Sequence, residues 1–347
     1  MKILINTPFL SLPGGVANHY KGLTPYWKED VCYNQIGKRN KKAGNGIYWL
    51  PVDIIKFVFK ILFLKPDIIL LNPSLGKSAI KRDLLFLKIA KFLGMKVALF
   101  FHGFNTGTIK ELNILSLKES LNKCECIFIL AQEFADIVKS WGVTAPIHLT
   151  TTKVDDRLIE DFDINPKDYT TKNILFLARI EKAKGIYTAL DAIKLLQEKG
   201  YDISFRVAGT GNELEKAKQY AIENNIKADF LGNITGLSLI NEFKNANLYI
   251  LPTHGEGMPT SVLEAMAFGL PIITRPVGGV CDFFENGKMG QLIESLVPQE
   301  YADAIEYYIN NPKKQKETSI HNHTYAKEHF LASSVAEKIE KALAEYI

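Results

Sequence analysis

Short runs of apolar, β-branched residues alternate along the chain with longer stretches whose apolar residues recur at helical spacing. This alternation is typical of βα units, in which parallel strands lie buried beneath helices. The predicted strands are residues 2–6, 67–72, 96–102, 126–130 and 146–150 in the first half, and 173–178, 204–209, 229–232, 248–252, 271–274 and 290–293 in the second. The pattern therefore predicts an α/β chain with two doubly wound, Rossmann-like domains in tandem.

The boundary between the two predicted domains lies in a polar, acidic stretch, residues 150–171, which contains Pro166 and has no sustained periodicity. A chain of 347 residues also exceeds the usual size of a single core. We therefore predict an N-terminal domain over residues 1–160 and a C-terminal domain over residues 166–330. Because ligands of such sheets bind beyond the carboxyl ends of the strands, the expected site is the cleft between the domains.

Composition indicates an ordinary folded protein, with 47% hydrophobic and 23% charged residues. The apolar run at the N-terminus stops at Asn6 and is too short for a signal peptide, so we interpret it as a strand. Residues 54–64 are strongly apolar but fall far short of a membrane-spanning helix. The four cysteines are too scattered for a disulfide framework and predict buried free thiols in a reducing, cytoplasmic location.

The charge is unevenly distributed between the halves. Residues 1–160 carry 22 Lys and Arg against 13 Asp and Glu, a net charge of +9, whereas the remainder carries 20 against 25, a net charge of −5. The basic clusters are Lys38-Arg39 with Lys41-Lys42, and Lys77, Lys81, Arg82, Lys88 and Lys91. One interpretation is a solvated surface, and the other is a face that meets an anionic partner such as a phospholipid surface or a phosphate-bearing acceptor. No nucleic-acid partner is expected.

The strongest site signal is residues 255–267, in which Glu256 and Glu264 flank a Gly-Met-Pro-Thr-Ser turn. The glycines allow a tight turn after the apolar strand 248–252, and Pro259 is favoured in the first turn of a helix. The amides at the start of that helix suit a diphosphate. Glu264 has two interpretations, as a ligand of the donor or as the partner of Ser261 in a capping box. Glu256 is better explained by ligand hydroxyls than by packing.

Residues 254–293 resemble the signature region of the GT-B glycosyltransferases, in particular the large retaining family 4. Glu256 and Glu264 match the E-x7-E motif of that family, and Gly278-Gly279, Gly287 and Gly290 match its following loops. The resemblance implies that Glu256 holds donor-sugar hydroxyls and Glu264 the ribose of the nucleotide. It also implies that the last helix, about residues 331–347, packs back on the first domain. Met258 and Asp282 depart from the residues commonest in the family and leave the sugar open.

A second group of residues, Arg179 with Lys184 and Gly185, follows the strand 173–178 and resembles the diphosphate clamp of the same family. Cleavage of the bond between sugar and diphosphate develops negative charge on the leaving oxygen, which fixed cations and helix amides stabilise without a metal. In the first half, Gly14-Gly15 follows the first strand, and His102 ends the strand 96–102. The strand-ending histidine resembles one that faces the donor sugar in the family.

These arguments assign four residues to catalysis and eleven to donor binding. The catalytic set is His102, Arg179, Lys184 and Glu256; the donor-binding set is Gly14, Gly15, Gly209, Gly211, Asn233, Gly257, Met258, Pro259, Thr260, Ser261 and Glu264. Asp161 and Asp163 imitate a metal-binding acidic pair but lie in the predicted linker, so no metal and no cofactor other than the donor substrate are expected.

The expected activity is transfer of a sugar from a nucleoside-diphosphate sugar to a glycan, lipid-linked or polysaccharide acceptor, with retention of anomeric configuration. The acceptor would be held by the first domain. Two alternatives remain open. One is a nucleotide-sugar epimerase on the same fold, which would need an acid/base partner for His102, and the other is a non-catalytic protein that binds nucleotide sugars or a lipid surface.

Overall fold

The computed structural model describes residues 1–40, 46–73, 77–103 and 112–347. Lys41, Lys42 and the side chain of Lys77, which belong to the predicted basic clusters, lie outside the described part. The chain forms two compact units: the first comprises Met1–Lys153 and Ala332–Ile347, and the second comprises Val154–Leu331.

The described residues form twelve strands, connected mainly by helices. The strands are β1 (Lys2–Pro8), β2 (Asp30–Ile36), β3 (Ile68–Leu71), β4 (Val97–Phe101), β5 (Cys126–Ile129), β6 (Ile147–Leu149), β7 (Asn173–Leu177), β8 (Ser204–Ala208), β9 (Asp229–Gly232), β10 (Leu248–Leu251), β11 (Ile272–Thr274) and β12 (Gly290–Leu292). Each predicted strand is present, so the predicted series of βα units is confirmed.

The helices of the described residues include four short 3₁₀ segments. The α-helices are α1 (Gly15–Leu23), α2 (Leu50–Leu64), α3 (Lys77–Phe92), α4 (Ile114–Leu121), α5 (Gln132–Ser140), α6 (Ile186–Glu198), α7 (Leu214–Glu223), α8 (Leu237–Asn245), α9 (Thr260–Ala267), α10 (Val280–Phe283), α11 (Pro298–Asn310), α12 (Pro312–His329) and α13 (Ala332–Ala344). The 3₁₀ segments are Thr24–Tyr26, Gly46–Trp49, Asp156–Leu158 and Lys182–Lys184. In this part of the chain, no helix is both long and apolar enough to cross a membrane.

Each unit is built on one six-stranded parallel sheet. The order is β2-β1-β3-β4-β5-β6 in the first unit and β12-β11-β10-β7-β8-β9 in the second. Strands β3 and β10 are buried at every position, because helices cover both faces of a parallel sheet. The chain therefore has two doubly wound α/β units, as the sequence predicts.

Among the strands of the described residues, only the edge strand β2 was not predicted by the sequence analysis. Val31, Cys32 and Tyr33 are only half-buried, and the polar pair Asn34-Gln35 interrupts the apolar pattern. An edge strand is covered less than a central one, so its sequence lacks the continuous apolar run that reveals its neighbours. Its position follows instead from parallel pairing with β1, from Lys2 opposite Asp30 to Pro8 opposite Ile36.

The unit boundaries lie a few residues away from the predicted linker. The Val154 amide donates a hydrogen bond to the Phe330 carbonyl (2.7 Å), and the side chains of Val154 and Ile159 are buried in the core of the second unit. Residues 154–160, predicted to end the first domain, therefore belong to the second unit. After Leu331 the chain returns to the first unit, where Glu340 accepts hydrogen bonds from the amides of Lys28 and Glu29, each at 2.9 Å.

All four cysteines are free thiols. Cys124 and Cys126 are buried, as predicted, and burial raises the pKa of each thiol to about 12. The prediction was wrong for Cys281, which is exposed, and Cys32 is half-buried on the edge strand. Cys281 lies on α10, a helix of a single turn whose outer side is open to solvent.

Candidate functional site

The second unit has a switch point, at which its strand order reverses. After β9 the chain crosses to the other side of β7 to form β10, so the loops that leave the carboxyl ends of β7 and β10 run to opposite sides. Such a switch point is the usual ligand site of a doubly wound sheet. The two loops lie side by side, because the His254 amide donates a hydrogen bond to the Ala183 carbonyl at 2.8 Å.

An ion pair joins these two loops. Lys184 Nζ donates to Glu256 Oε1 at 2.6 Å, and the two side chains are only 15% and 14% exposed. Glu256 thus has a structural partner in Lys184, while its predicted role towards ligand hydroxyls stays a prediction. Because the pair is largely shielded from water, a ligand that places an anion beside Lys184 and hydroxyl donors beside Glu256 can replace the pair with charge-assisted hydrogen bonds of its own.

Arg179 follows β7 but contacts a different carboxylate. Its Nη1 donates to Glu181 Oε1 at 2.7 Å, and its side chain is 70% exposed. The predicted clamp residues Arg179 and Lys184 thus lie on the same loop without sharing a partner. An exposed pair of this kind contributes little to stability, so the guanidinium can exchange Glu181 for a phosphate at small cost.

Helix α9 begins beside the same switch point, after the loop that leaves β10. Pro259 occupies its N-cap position, no side chain caps the helix, and Thr260 is the first helical residue. Ser261 is therefore inside the helix, and the capping-box interpretation of Glu264 was wrong because a capping box needs its serine at the N-cap. Pro259 likewise precedes the first turn instead of lying in it. The first-turn amides and the positive end of the helix dipole face the carboxyl edge of the sheet.

The buried Tyr249 of β10 links the start of α9 to β7. Its phenol oxygen lies 2.8 Å from the Leu177 carbonyl oxygen and 2.7 Å from Ser261 Oγ. Burial raises the pKa of Tyr249 above its ordinary value, and the nearby carboxylates of Glu256 and Glu264 raise it further. Both glutamates of the E-x7-E motif therefore lie close to one phenol.

Two glycines allow the loops at this edge to pack backbone against backbone. Gly278 has a φ of +53°, and a Cβ there would lie 2.1 Å from the Glu256 carbonyl oxygen. Gly209 has a φ of +133°, and a Cβ there would lie 1.8 Å from the Ala178 carbonyl oxygen. A side chain at either position would displace the loop that carries Glu256 or the one that carries Arg179.

The remaining predicted residues of the second unit lie at the same edge. The Gly279 amide donates to the Gly257 carbonyl at 2.7 Å, and half-buried Met258 packs against the core. Gly211 approaches the backbone of Ile180 closely, because a Cβ there would lie 2.2 Å from the Ile180 carbonyl oxygen. Asn233 follows β9 and is exposed.

In the first unit, a hydrogen-bond network fixes the tautomer of His102. Its Nε2 lies 2.8 Å from Asn72 Oδ1, which also accepts from the Tyr20 hydroxyl at 2.7 Å, and Asn72 Nδ2 donates to the Asn6 carbonyl at 2.9 Å. An amide oxygen only accepts, so Nε2 carries the proton and Nδ1 is an acceptor. Burial lowers the pKa of His102 to about 3, so the imidazole is neutral at physiological pH.

Gly14 and Gly15 lie at the same edge of the first sheet, where α1 follows β1. A Cβ at either glycine would meet no described atom within 4 Å. Helix α1 also brings His19 to His102, with ring centroids 4.8 Å apart. His19 is buried, and both of its ring nitrogens lack a hydrogen-bond partner among the described residues. Burial, with smaller contributions from His102 and Lys153, lowers the pKa of His19.

Comparison with known proteins bears on the family of the second unit and on the fold of the chain. Residues 159–325 match the family model described as glycosyl transferases group 1. The second unit belongs to that family. Over the whole chain, the fold is that of the GT-B glycosyltransferases. The structural match to the HepE protein of Anabaena, crystallised with UDP and glucose, covers 99% of this chain and 99% of HepE, with a TM-score of 0.72 and 16% identity. The sucrose-phosphate synthase of Thermosynechococcus elongatus gives a TM-score of 0.75 at 14% identity, with 99% and 98% covered.

Relatives found by sequence are glycosyltransferases. The capsular polysaccharide biosynthesis glycosyltransferase CapM of Staphylococcus aureus is 28% identical over 217 residues, which cover 60% of this chain and 55% of CapM. The 2-deoxystreptamine N-acetyl-D-glucosaminyltransferase of Niallia circulans is 32% identical over 172 residues, which cover 47% of this chain and 43% of that enzyme. The matched stretch spans about half the length of these curated relatives.

Sequence reasoning missed two residues that support the site. In the group 1 unit, Tyr249 fixes the start of α9, and the signal for it was a tyrosine in an otherwise aliphatic buried strand, since a buried phenol needs a partner. In the first unit, Asn72 orients His102, and its signal was a polar side chain just after the buried strand β3. Among the described residues, no group of three or more His, Cys, Asp or Glu could hold a metal ion.

Replacing Tyr249 with phenylalanine tests the link between α9 and β7. We expect the free energy of unfolding of the variant to be about 1–3 kcal/mol lower than that of the wild type, because the Leu177 carbonyl and the Ser261 hydroxyl lose a buried partner. Denaturant unfolding measures the difference. The matched control is Tyr307→Phe, which removes an exposed hydroxyl of the same unit and should leave stability unchanged. Equal stability of both variants would contradict the structural role of the phenol.

Proposed function

We propose that this chain is a glycosyltransferase that moves a sugar from a nucleoside-diphosphate sugar to a glycan, lipid-linked or polysaccharide acceptor with retention of configuration. The observation that carries the proposal is the Lys184–Glu256 ion pair, which spans the switch point of the group 1 unit beside the start of α9. A cation, helix amides and two carboxylates at one switch point suit a ligand that combines a diphosphate with hydroxyl groups.

The diphosphate of the donor would lie at the start of α9. The amides of its first turn and the positive end of the helix dipole favour an anion there, and Lys184 supplies a nearby positive charge. Once it leaves Glu181, the planar guanidinium of Arg179 can donate two hydrogen bonds to a phosphate. Once the donor is bound, these groups surround the diphosphate, so they stabilise the charge that develops on it as it leaves, without the need for a metal ion.

The two carboxylates would divide the hydroxyl groups of the donor between them. Glu256, at the carboxyl end of β10, accepts hydrogen bonds from the sugar hydroxyls in place of its bond from Lys184. Glu264 lies one turn further along α9 and accepts from the ribose. The capping box of Ser261 and Glu264 no longer competes with this role, because the N-cap of α9 is Pro259 and Ser261 lies inside the helix.

Transfer with retention places the new bond on the face from which the old one leaves. The bond between the anomeric carbon and the diphosphate oxygen breaks, the acceptor oxygen bonds to the same face of that carbon, and its proton passes to the leaving diphosphate. Neither glutamate serves as a nucleophile in this scheme. His102, neutral and with Nδ1 as an acceptor, would orient a sugar hydroxyl, and the first unit would bind the acceptor.

The names of the relatives support the same class of reaction. CapM is named for capsular polysaccharide biosynthesis, and the Niallia circulans enzyme for transfer of N-acetyl-D-glucosamine. The HepE structure contains UDP and glucose. We propose by analogy a UDP-linked or similar sugar as donor. The buried thiols of Cys124 and Cys126 suit the reducing cytoplasm, where we expect the protein to work.

A panel of UDP-, GDP- and ADP-sugars tests the proposal. We expect one nucleotide sugar to raise the melting temperature, because a ligand that binds only the folded state stabilises it by mass action, and the same compound to release nucleoside diphosphate on incubation. Binding without turnover, with or without candidate acceptors, would show a binding protein, and conversion to a different nucleotide sugar would show an epimerase. Absence of both binding and turnover would refute the proposal.

The same assay tests the expected metal independence. A chelator such as EDTA should leave the rate unchanged, because Lys184, Arg179 and the amides of α9 carry the compensating charge. Asp161 and Asp163 lie towards the amino end of the second sheet, where Lys244 Nζ donates to the Asp161 carbonyl at 3.5 Å. A steep loss of rate that added magnesium restores would contradict this expectation.

A further inference from the structure

Helix α2 of the first unit has an apolar side that the rest of the described chain leaves uncovered. Its inner side is buried through Phe57 and Ile61, as expected for a helix on a doubly wound sheet. Its outer side presents Ile55, Phe59, Leu62 and Phe63, which are 56%, 55%, 56% and 77% exposed, and Phe59 stacks on Phe63. A helix that covers a sheet normally presents polar residues to water, so this contiguous apolar face needs a partner.

The exposed apolar surface continues at both sides of the helix. Tyr48 and Trp49, in the 3₁₀ segment before α2, are 80% and 40% exposed. On the other side, an open groove of about 550 Å³ runs between α2 and the edge strand β2, lined by Val31, Cys32 and Phe63 among others. Aromatic side chains with polar tips, such as Tyr48 and Trp49, are typical of the boundary between hydrocarbon and water.

The charges around this face are positive. Helices α2 and α3, which contact each other through Phe57 and Phe86, together contain seven Lys or Arg against two Asp. Both aspartates are buried and paired with arginine, Asp53 with Arg39 and Asp83 with Arg82. The exposed charges of these two helices and of the residue that ends α2 are therefore those of Lys56, Lys65, Lys81 and Lys88. The exposed carboxylate that follows, Asp67, already accepts a hydrogen bond from the Lys2 amide at 2.7 Å.

We propose that α2 is an interfacial helix that docks the first unit onto an anionic phospholipid bilayer. Its 15 residues are too few to cross a bilayer, and the helix lies flat on the sheet, so only its outer face can enter the lipid. Ile55, Phe59, Leu62 and Phe63 enter the boundary between headgroups and acyl chains, and the lysines contact the lipid phosphates. The basic first half of the sequence thus has one defined contact surface.

A bilayer explains the combination of charge and apolar area better than a second copy of the chain does. A two-fold contact through this face would bring the lysines around it from both copies to one interface, because such a contact uses the same patch on both subunits. Like charges at a contact oppose association, whereas anionic headgroups neutralise them. Docking does not depend on sugar transfer, and its test requires no nucleotide sugar.

Co-sedimentation with vesicles tests the proposal. We expect the wild-type chain to bind vesicles that contain phosphatidylglycerol and to bind pure phosphatidylcholine vesicles weakly. The variant F59S/F63S should lose at least about tenfold in vesicle affinity, because two aromatic side chains no longer enter the lipid. The variant K56Q/K65Q should lose at least about tenfold on anionic vesicles and show weaker dependence on salt.

The matched control is I222S/I320S, which makes two exposed apolar residues of the second unit polar and should leave vesicle binding unchanged. Melting temperatures of all variants verify that the fold is intact. We expect it to be intact because the substituted positions are exposed. Equal vesicle binding by F59S/F63S and wild type, or equal binding to neutral and anionic vesicles, would overturn the proposal. So would a dimer in analytical ultracentrifugation that F59S/F63S abolishes while no vesicle binding is seen, because a second copy would then cover α2.

Discussion

Replacing Lys184 with methionine is expected to lower kcat/KM for sugar transfer by about 10²–10³-fold. Methionine keeps much of the length of the side chain but removes the positive charge that lies 2.6 Å from Glu256 at the switch point. The charge on the leaving diphosphate is largest in the transition state, so kcat should fall as well as affinity. The affinity for the free nucleoside diphosphate should fall too, because the diphosphate loses a cation.

The control for this variant lies on the same 3₁₀ segment. Lys182→Met makes the same chemical change at an exposed position two residues away and should retain activity. Steady-state kinetics give kcat and KM, and calorimetry with the nucleoside diphosphate gives the affinity of the product. Equal losses in Lys182→Met and Lys184→Met would mean that general charge, and not the placement of Lys184, is responsible.

Replacing Glu256 with glutamine is expected to lower kcat/KM by about 10–100-fold, because hydrogen bonds from hydroxyls to a charged acceptor are weakened. The affinity for the free nucleoside diphosphate, in contrast, should not fall. Without the carboxylate, Lys184 loses its counter-ion and becomes available to the diphosphate, so product affinity should stay equal or increase. The two variants therefore separate the sugar end of the site from its phosphate end.

The matched control is Glu285→Gln, which changes a glutamate of an exposed pair with Lys288 (3.0 Å) in the same unit. Its kinetics should equal those of the wild type, because an exposed pair contributes little. A weaker affinity of Glu256→Gln for the free nucleoside diphosphate would contradict the assigned roles. Melting temperatures distinguish a site effect from lost stability, since removing one partner of a shielded pair also destabilises the fold.

Much of the fold could be predicted because hydrophobic periodicity is a local property. A buried parallel strand such as β3 is apolar at each position, and this pattern can be read without knowing its neighbours. The edge strand β2 escaped prediction because burial on only part of its surface left a mixed pattern. Residues 154–160 were assigned to the wrong side of the boundary because the hydrogen bond from Val154 to Phe330 joins positions that are far apart in sequence.

In the candidate site too, features within one segment could be predicted and contacts between distant segments could not. The spacing of Glu256 and Glu264, the glycines around them and the helix that follows were readable in sequence, since they occupy one continuous segment. The partner of Glu256 was not, because Lys184 is 72 residues away and meets it only through the adjacency of β7 and β10. The helix start decided between the two interpretations of Glu264, and a shift of the N-cap from Ser261 to Pro259 was enough to exclude the cap.

By itself, the sequence determined the α/β class, the two series of βα units and the motif that contains Glu256 and Glu264. It did so because buried strands leave a local hydrophobic pattern and the turns at their ends leave local Gly and Pro signals. Only the tertiary structure decided the strand order that creates the switch point, the Lys184–Glu256 pair and the tautomer of His102. It also decided that the apolar helix α2 is covered on one side alone. Each of these depends on which distant segments meet, and pairing between distant segments leaves no period in the sequence.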